Sequence, residues 1–192
     1  MKAAWWRSLV IGGLSFGISI GLGLVSQKVA SQLTLWLAIT FLLLLVAAGI
    51  LFDVLGVATA AAHERPFHAL ASDRVAGAAQ AIRLLRQADL VTTVTNDMIG
   101  DILGTLAGAM GAGLVFQLVR RGVVTNEELL ATVVVAMTAG LSVGGKSFFK
   151  GFALGHAQEI VLVAGRVLAF SERLMGRPLL PAPAARRKES RR

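Results

Sequence analysis

The expected fold class is all-α: a polytopic integral membrane protein with four transmembrane helices and amphipathic helices at the cytoplasmic interface. Three observations lead to it. The composition is 55% hydrophobic and only 16% charged, with a mean hydropathy of +0.71, whereas a soluble domain is about half apolar and a quarter charged. Four stretches are long enough to span a bilayer, which takes roughly 20 apolar residues. Between and after them lie segments whose apolar residues recur at helical spacing among charged ones.

The first stretch runs from about Ser8 to Ser26. Its basic start, "MKAAWWRS", also suits a secretory leader. The apolar run is long and no clear A-x-A site follows, so a retained span is the preferred reading. The second stretch runs from about Leu33 to Ala62 and contains "LAITFLLLLVAAGILF". The third covers about Val91 to Val119 and the fourth about Leu129 to Phe149. Trp5, Trp6 and Trp36 fall near span ends, where indole rings favour the interface.

Lys and Arg orient the spans. Sixteen of the 19 lie before span one, between spans two and three, or after Ser142; Lys28, Arg120 and Arg121 lie on the other side. Both termini are therefore expected in the cytoplasm, with the protein in a bacterial inner (cell) membrane. The net charge of +8 follows from the same excess. With no cysteine, disulfides and thiolate metal sites are excluded.

Residues 64–90 are expected to form one or two amphipathic helices, with Phe67, Leu70, Val75, Ala78, Ile82 and Leu85 on the apolar side. Residues 151–176 are expected to behave alike, with Phe152, Ile160, Val163, Val167 and Phe170 against Glu159, Arg166 and Arg173. Packing on the membrane domain and contact with lipid are equally good readings of both. Residues 178–192 carry three prolines and a basic cluster and read as a disordered cytoplasmic tail. Its expected roles are topology and attraction to anionic lipid; nucleic-acid binding has no support. The organisation is thus an extra N-terminal span and short outer loop over 1–32, a main membrane domain over 33–177, and the tail.

"GLSVGGKS", residues 140–147, matches the phosphate-loop pattern G-x-x-x-x-G-K-[ST]. That motif works only between a strand and a helix of a soluble sheet. Here the preceding run, "LLATVVVAMTA", is the body of a span. Nucleotide binding is not expected, and Gly140, Ser142, Gly144 and Gly145 read as small residues at a helix end, followed by a cytoplasmic Lys146. Gly13, Gly17 and Gly21, and again Gly100, Gly104 and Gly108, are spaced by four. Such glycines let helix backbones approach, within one chain or across a homodimer seam.

The acids carry the chemistry. Asp53 lies deep in span two; Asp97 and Asp101 lie in span three beside Asn96, Thr92, Thr93 and Thr95. An ionised carboxylate in hydrocarbon costs at least a few kcal/mol, so such groups face a cavity or a partner. Asp97 and Asp101 are four apart and share one helix face. Carboxylate, amide and hydroxyl oxygens are hard ligands suited to Mg²⁺ or Na⁺. The competing reading is that the acids pair with Lys146, Lys150 or arginines. His63, His68 and His156 are scattered and are not expected to form a metal cluster. No nucleophile with a base is visible, so an enzyme is not expected.

The order of these parts resembles the transmembrane domain of the CNNM/CorC family (the DUF21 domain), associated with magnesium and cobalt transport or efflux. "FDVLGVATAAAHERPFHALASDRVAGAAQA" (52–81) lies along the family's F-S-A-S-E-T-A helix and the amphipathic segment after it. "TNDMIGDILG" (95–104) resembles I-G-N-N-L-V-N-I, with Asp97 at the first Asn of the pair and Asp101 at the later Asn. "GKSFFKGFALGHAQEI" (145–160) resembles G-E-I-I-P-K, with Lys150 on the Lys and Lys146 where the family has Glu. Asp53 takes the place of the first Ser, Leu55 that of the second, and Gly56 that of the Glu. The nucleotide-sensing CBS pair of many members is not expected here.

The resemblance implies a homodimer with a polar Mg²⁺ or Co²⁺ site between transmembrane helices. Asp53, Asn96, Asp97 and Asp101 are its candidate ligands, with Ser142 a weaker one, and Lys146 and Lys150 modulate its charge. Mg²⁺ as bound or transported ion is the one cofactor expected, and lipid the other partner. The alternative is a non-transporting membrane scaffold or regulatory subunit on the same fold, with Lys146 in the cation's place. The orientation of Lys146, inward or to the cytoplasm, separates the two.

Overall fold

A computed structural model describes residues 2–123 and 126–177. Among them there are helices and no strands. In chain order these are α1 (Lys2–Gln32), α2 (Leu35–Ala61), α3 (Arg65–Ser72), α4 (Ala78–Arg86), α5 (Ala88–Thr92), a π-helical segment (Thr93–Gly100), α6 (Asp101–Arg120), α7 (Glu127–Gly155) and α8 (Ala157–Met175). Leu35–Ala61, Ala88–Arg120 and Glu127–Gly155 are long and apolar enough to cross a membrane. The phosphate-loop match lies inside α7, and no helix ends at its glycines, contrary to expectation. The basic tail lies outside the described residues.

The chain divides into two compact units. Of the described residues, the first comprises 2–54, 94–123 and 126–150. In it α1 packs along α6. Ser26 at this contact donates its hydroxyl to the Leu106 carbonyl (3.3 Å), and Gly23 faces Ala109. Gly13, Gly17, Gly21, Gly104 and Gly108 have no such neighbour, so the spacing of four does not mark the seam within the chain. The core joins Ala38, Leu42 and Val46, one stripe of α2 at a period of four, to Ala107, Met110 and Leu114 of α6. Gly111 of α6 meets Val134 of α7, where an added Cβ would lie 3.2 Å from Cγ1. Large apolar side chains cover the outside, among them Phe16 and Leu24 of α1, Leu44 and Leu51 of α2, and Val135 and Val143 of α7. Apolar surface on this scale suits a lipid solvent.

Of the described residues, the second unit comprises 55–93 and 151–177. Pro66 opens α3, where its missing N–H costs nothing. Between α3 and α4 the chain turns sharply, with Arg74 (φ 56°) and Gly77 (φ 88°) both left-handed. Its core holds Ala58, Phe67, Ala81, Ala157 and Val161, with Leu70, Ile82, Leu85 and Ile160 packed around it. The amphipathic reading of 64–90 therefore gives packing within this unit.

Of the face expected for residues 151–176, Ile160 packs on this core and the rest does not. Ala157, Val161 and Gly165 of α8 are buried, while Phe152, Val163, Val167 and Phe170 are exposed. The reason is close approach. A Cβ on Gly165 would fall 2.3 Å from the Gly77 carbonyl oxygen, and one on Gly77 would fall 2.5 Å from the Arg166 nitrogen. Small residues let α8 lie against the start of α4, and large ones are left on the other side. Across this contact Arg83 pairs with Glu172, which also accepts from Gln80 at 3.3 Å. Nearby, Arg86 donates to Glu64 at 2.7 Å, and the Glu64 carboxylate also contacts His68 at 2.9 Å. The Arg86 hydrogen bond, chiefly, holds the Glu64 carboxyl below its ordinary range.

Candidate functional site

In the first unit a close contact between α2 and α7 sets up the site. Gly145 of α7 faces Ile50 of α2 so closely that a Cβ on the glycine would lie 2.3 Å from the isoleucine Cδ1. One residue along α7 stands Lys146. Three residues along α2, on the Ile50 side of that helix, stands Asp53. The Lys146 ammonium lies 3.9 Å from Asp53 Oδ1, with 29% and 18% of the two side chains exposed. That separation is an ion pair rather than a hydrogen bond. The same Nζ lies 3.7 Å from the Cβ position of Gly100, at the end of the π-helical segment. Lys146 therefore points inward, onto α2 and the π segment.

The π segment is the feature that sequence periodicity missed. Its signal was the run "TTVTND": Thr and Asn are poor helix formers whose side chains compete for backbone partners. Thr92 donates to the Gly56 carbonyl at 3.3 Å, which ties the start of the segment to α2. Thr95 is buried and donates to Asn96 Oδ1 at 3.4 Å. Hydrogen bonding from i to i+5 replaces the α-helical pattern, and π segments occur frequently at functional sites. Asp97 lies in this segment and Asp101 is the first residue of α6, and both are exposed.

Ser142 lines a separate cavity of about 250 Å³ between α2, α6 and α7, with Gly49, Gly100, Gly104, Gly108 and Thr138 among its walls. Thr138 spends its hydroxyl proton on the Val134 carbonyl at 2.8 Å. The cavity is small-walled and mostly apolar, and none of the four acid or amide candidates lines it. Lys150 is exposed on α7. Of the seven residues singled out, the fold brings Asp53 and Lys146 together; Ser142 reaches the neighbouring cavity. Gly100, Gly145 and Ile50 belong to the site and were not foreseen as its parts. Among the described residues no three His, Asp or Glu side chains gather into a group able to hold a metal ion. His156 stacks on Phe152 (centroids 4.4 Å apart) and His68 serves Glu64.

Chemically, the pair presents a half-buried carboxylate already matched by a tethered cation. A free divalent ion at Asp53 would have to displace the ammonium or sit beside it, and like-charge repulsion opposes the second. Compared with protein-family models, curated proteins and solved structures, the chain matches none.

Proposed function

We propose that this chain is an integral membrane scaffold or regulatory subunit built on a CNNM/CorC-like cation-transport fold. In it the Lys146 ammonium takes the place of the transported cation. The observation that carries the reading is the 3.9 Å contact between Lys146 and Asp53, made by a lysine directed inward rather than toward the cytoplasm. The family resemblance puts Glu at the Lys146 position, so a ligand carboxylate has become a permanent internal cation. α1 is the fourth crossing in this proposal. At 31 residues it is roughly 46 Å long, enough for a bilayer core of about 30 Å. The basic-residue asymmetry then favours both termini in the cytoplasm of a bacterial cell, and the open Gly13, Gly17 and Gly21 of α1 are available to a second copy in a homodimer.

A second reading, Mg²⁺ or Co²⁺ transport, keeps one specific support. The π segment presents Asn96 and Asp97 from a non-α backbone within an otherwise membrane-crossing helix, and polar groups at such places mark ion pathways. Here Asp53, Asn96, Asp97, Asp101 and Ser142 would be ligands, with Lys146 as a competitor for the site.

The test is Mg²⁺ and Co²⁺ flux into proteoliposomes holding the full chain, beside Asp97→Asn and Lys146→Met. Absence of flux from the folded wild type supports the scaffold. Flux that Asp97→Asn abolishes overturns it in favour of transport.

A further inference from the structure

The second unit holds a recess of about 740 Å³ between the α3–α4 turn and the C-terminal half of α8. Five arginines line it, Arg74, Arg83, Arg166, Arg173 and Arg177, against one carboxylate, Glu172. Glu172 is already committed to Arg83 and Gln80. The other four arginines are exposed and form no ion pair among the described residues. Like charges gathered on one concave surface repel each other, so the arrangement suits an anion. Guanidinium groups match phosphate in particular, through paired N–H donors in a fixed fork. The walls are set by the Gly77–Gly165 approach, and Arg74 holds a left-handed backbone that a non-glycine residue adopts only at a cost.

The same helix states where that phosphate comes from. Val163, Val167, Phe170 and Leu174 recur at spacings of four, three and four on α8, exposed to 55%, 60%, 69% and 79%. This is an unpartnered apolar stripe, flanked on the helix by Arg166 and Arg173. Phe170 belongs to the stripe and also lines the recess. An apolar face beside arginines is the pattern of a helix lying in a membrane interface. We infer that the recess binds the phosphate of an anionic phospholipid, with acyl chains against the α8 stripe. The inference rests on membrane location and is independent of whether the Asp53–Lys146 pair transports anything.

The experiment is lipid titration of the full chain in a non-ionic detergent, read by native mass spectrometry. Phosphatidylglycerol is compared with phosphatidylcholine, for the wild type and for Arg166→Gln/Arg173→Gln. Phosphatidylglycerol should bind more tightly than phosphatidylcholine. The double variant should lose about thirtyfold, taking roughly 1 kcal/mol per arginine near anionic lipid. Arg120→Gln/Arg121→Gln, at the end of α6 and outside the recess, should keep wild-type binding. Arg74→Gln, on the opposite wall, should weaken binding on its own, which covers misfolding of the double variant. Equal binding of the two lipids, or unchanged binding by both recess variants, overturns the proposal. So does full competition by millimolar inorganic phosphate, which would make the source a free phosphate.

Discussion

Replacing Gly165 by alanine tests the packing of α8 directly. The added methyl would meet Gly77 O at 2.3 Å, Ala81 N at 2.9 Å and Ala81 Cβ at 3.1 Å, where ordinary contact begins near 3.4 Å. Two of the three atoms are backbone, and they are joined: the Ala81 N–H donates to the Gly77 carbonyl at 2.8 Å. Neither can swing aside like a side-chain tip. α8 must retreat by about 1 Å or the first turn of α4 must open. Overpacking costs typically 1–3 kcal/mol, and rigid partners argue for the upper end, about 3. Alanine returns about 1 kcal/mol of helix propensity. The net expectation is a loss of roughly 2 kcal/mol, which lowers amide-exchange protection in α4 and α8 about thirtyfold. Hydrogen exchange on the detergent-solubilised full chain reads this. Gly151→Ala is the control: nothing lies within 4 Å of its Cβ position, so it should be neutral or stabilising by up to about 1 kcal/mol. Unchanged protection of α4 and α8 in Gly165→Ala would refute the reasoning.

Three other outcomes follow from the same geometry. In a double-mutant cycle, Asp53→Asn and Lys146→Met should each destabilise, and the pair together should cost less than the sum by about 1 kcal/mol, between the values for exposed and buried ion pairs; strict additivity of thermal stabilities would dissolve the pairing. Gly145→Ala should cost about 1 kcal/mol, because the atom it strikes is the tip of Ile50; Ile50→Val, which removes that tip, should restore much of the melting temperature. Glu64 has a folded-state pKa below its ordinary value. Its contribution is therefore complete above the unfolded carboxylate pKa and is lost as pH falls through the lowered one. The effect is small for so exposed a group. An acid-side stability titration should show it in the wild type and not in Arg86→Gln; an identical titration in both would exclude Arg86 as the cause.

The class of the protein and the chemistry of its centre were legible to different degrees. Uninterrupted apolar length pointed to four stretches, and three of them coincide, to within about six residues at each end, with the helices long and apolar enough to cross a membrane, Leu35–Ala61, Ala88–Arg120 and Glu127–Gly155. A bilayer demands that length and permits only helices or closed barrels to supply it. The same reasoning argued against a phosphate loop at "GLSVGGKS" but put those residues at a helix end, whereas they lie inside α7. Asp53 and Lys146 were both marked, as ligand and as charge modulator. Their pairing was one of two open readings, and the distance between them depends on where α2 and α7 cross.

Hydrophobic pattern says which residues avoid water; in a membrane it does not say which of them touch protein. The pattern marks large and small apolar residues alike, so both sets on α8 are admissible as its packing face. Tertiary structure chose Ala157, Val161 and Gly165, because only there do two backbones approach within contact of a missing Cβ. It likewise set the π segment, whose i to i+5 bonds need neighbours to hold them, and turned Lys146 inward through the Gly145–Ile50 crossing. Length and polarity are properties of residues taken in order and can be read along the chain. Close approach and the partner of a charge are properties of pairs far apart in sequence, and only packing brings them into being.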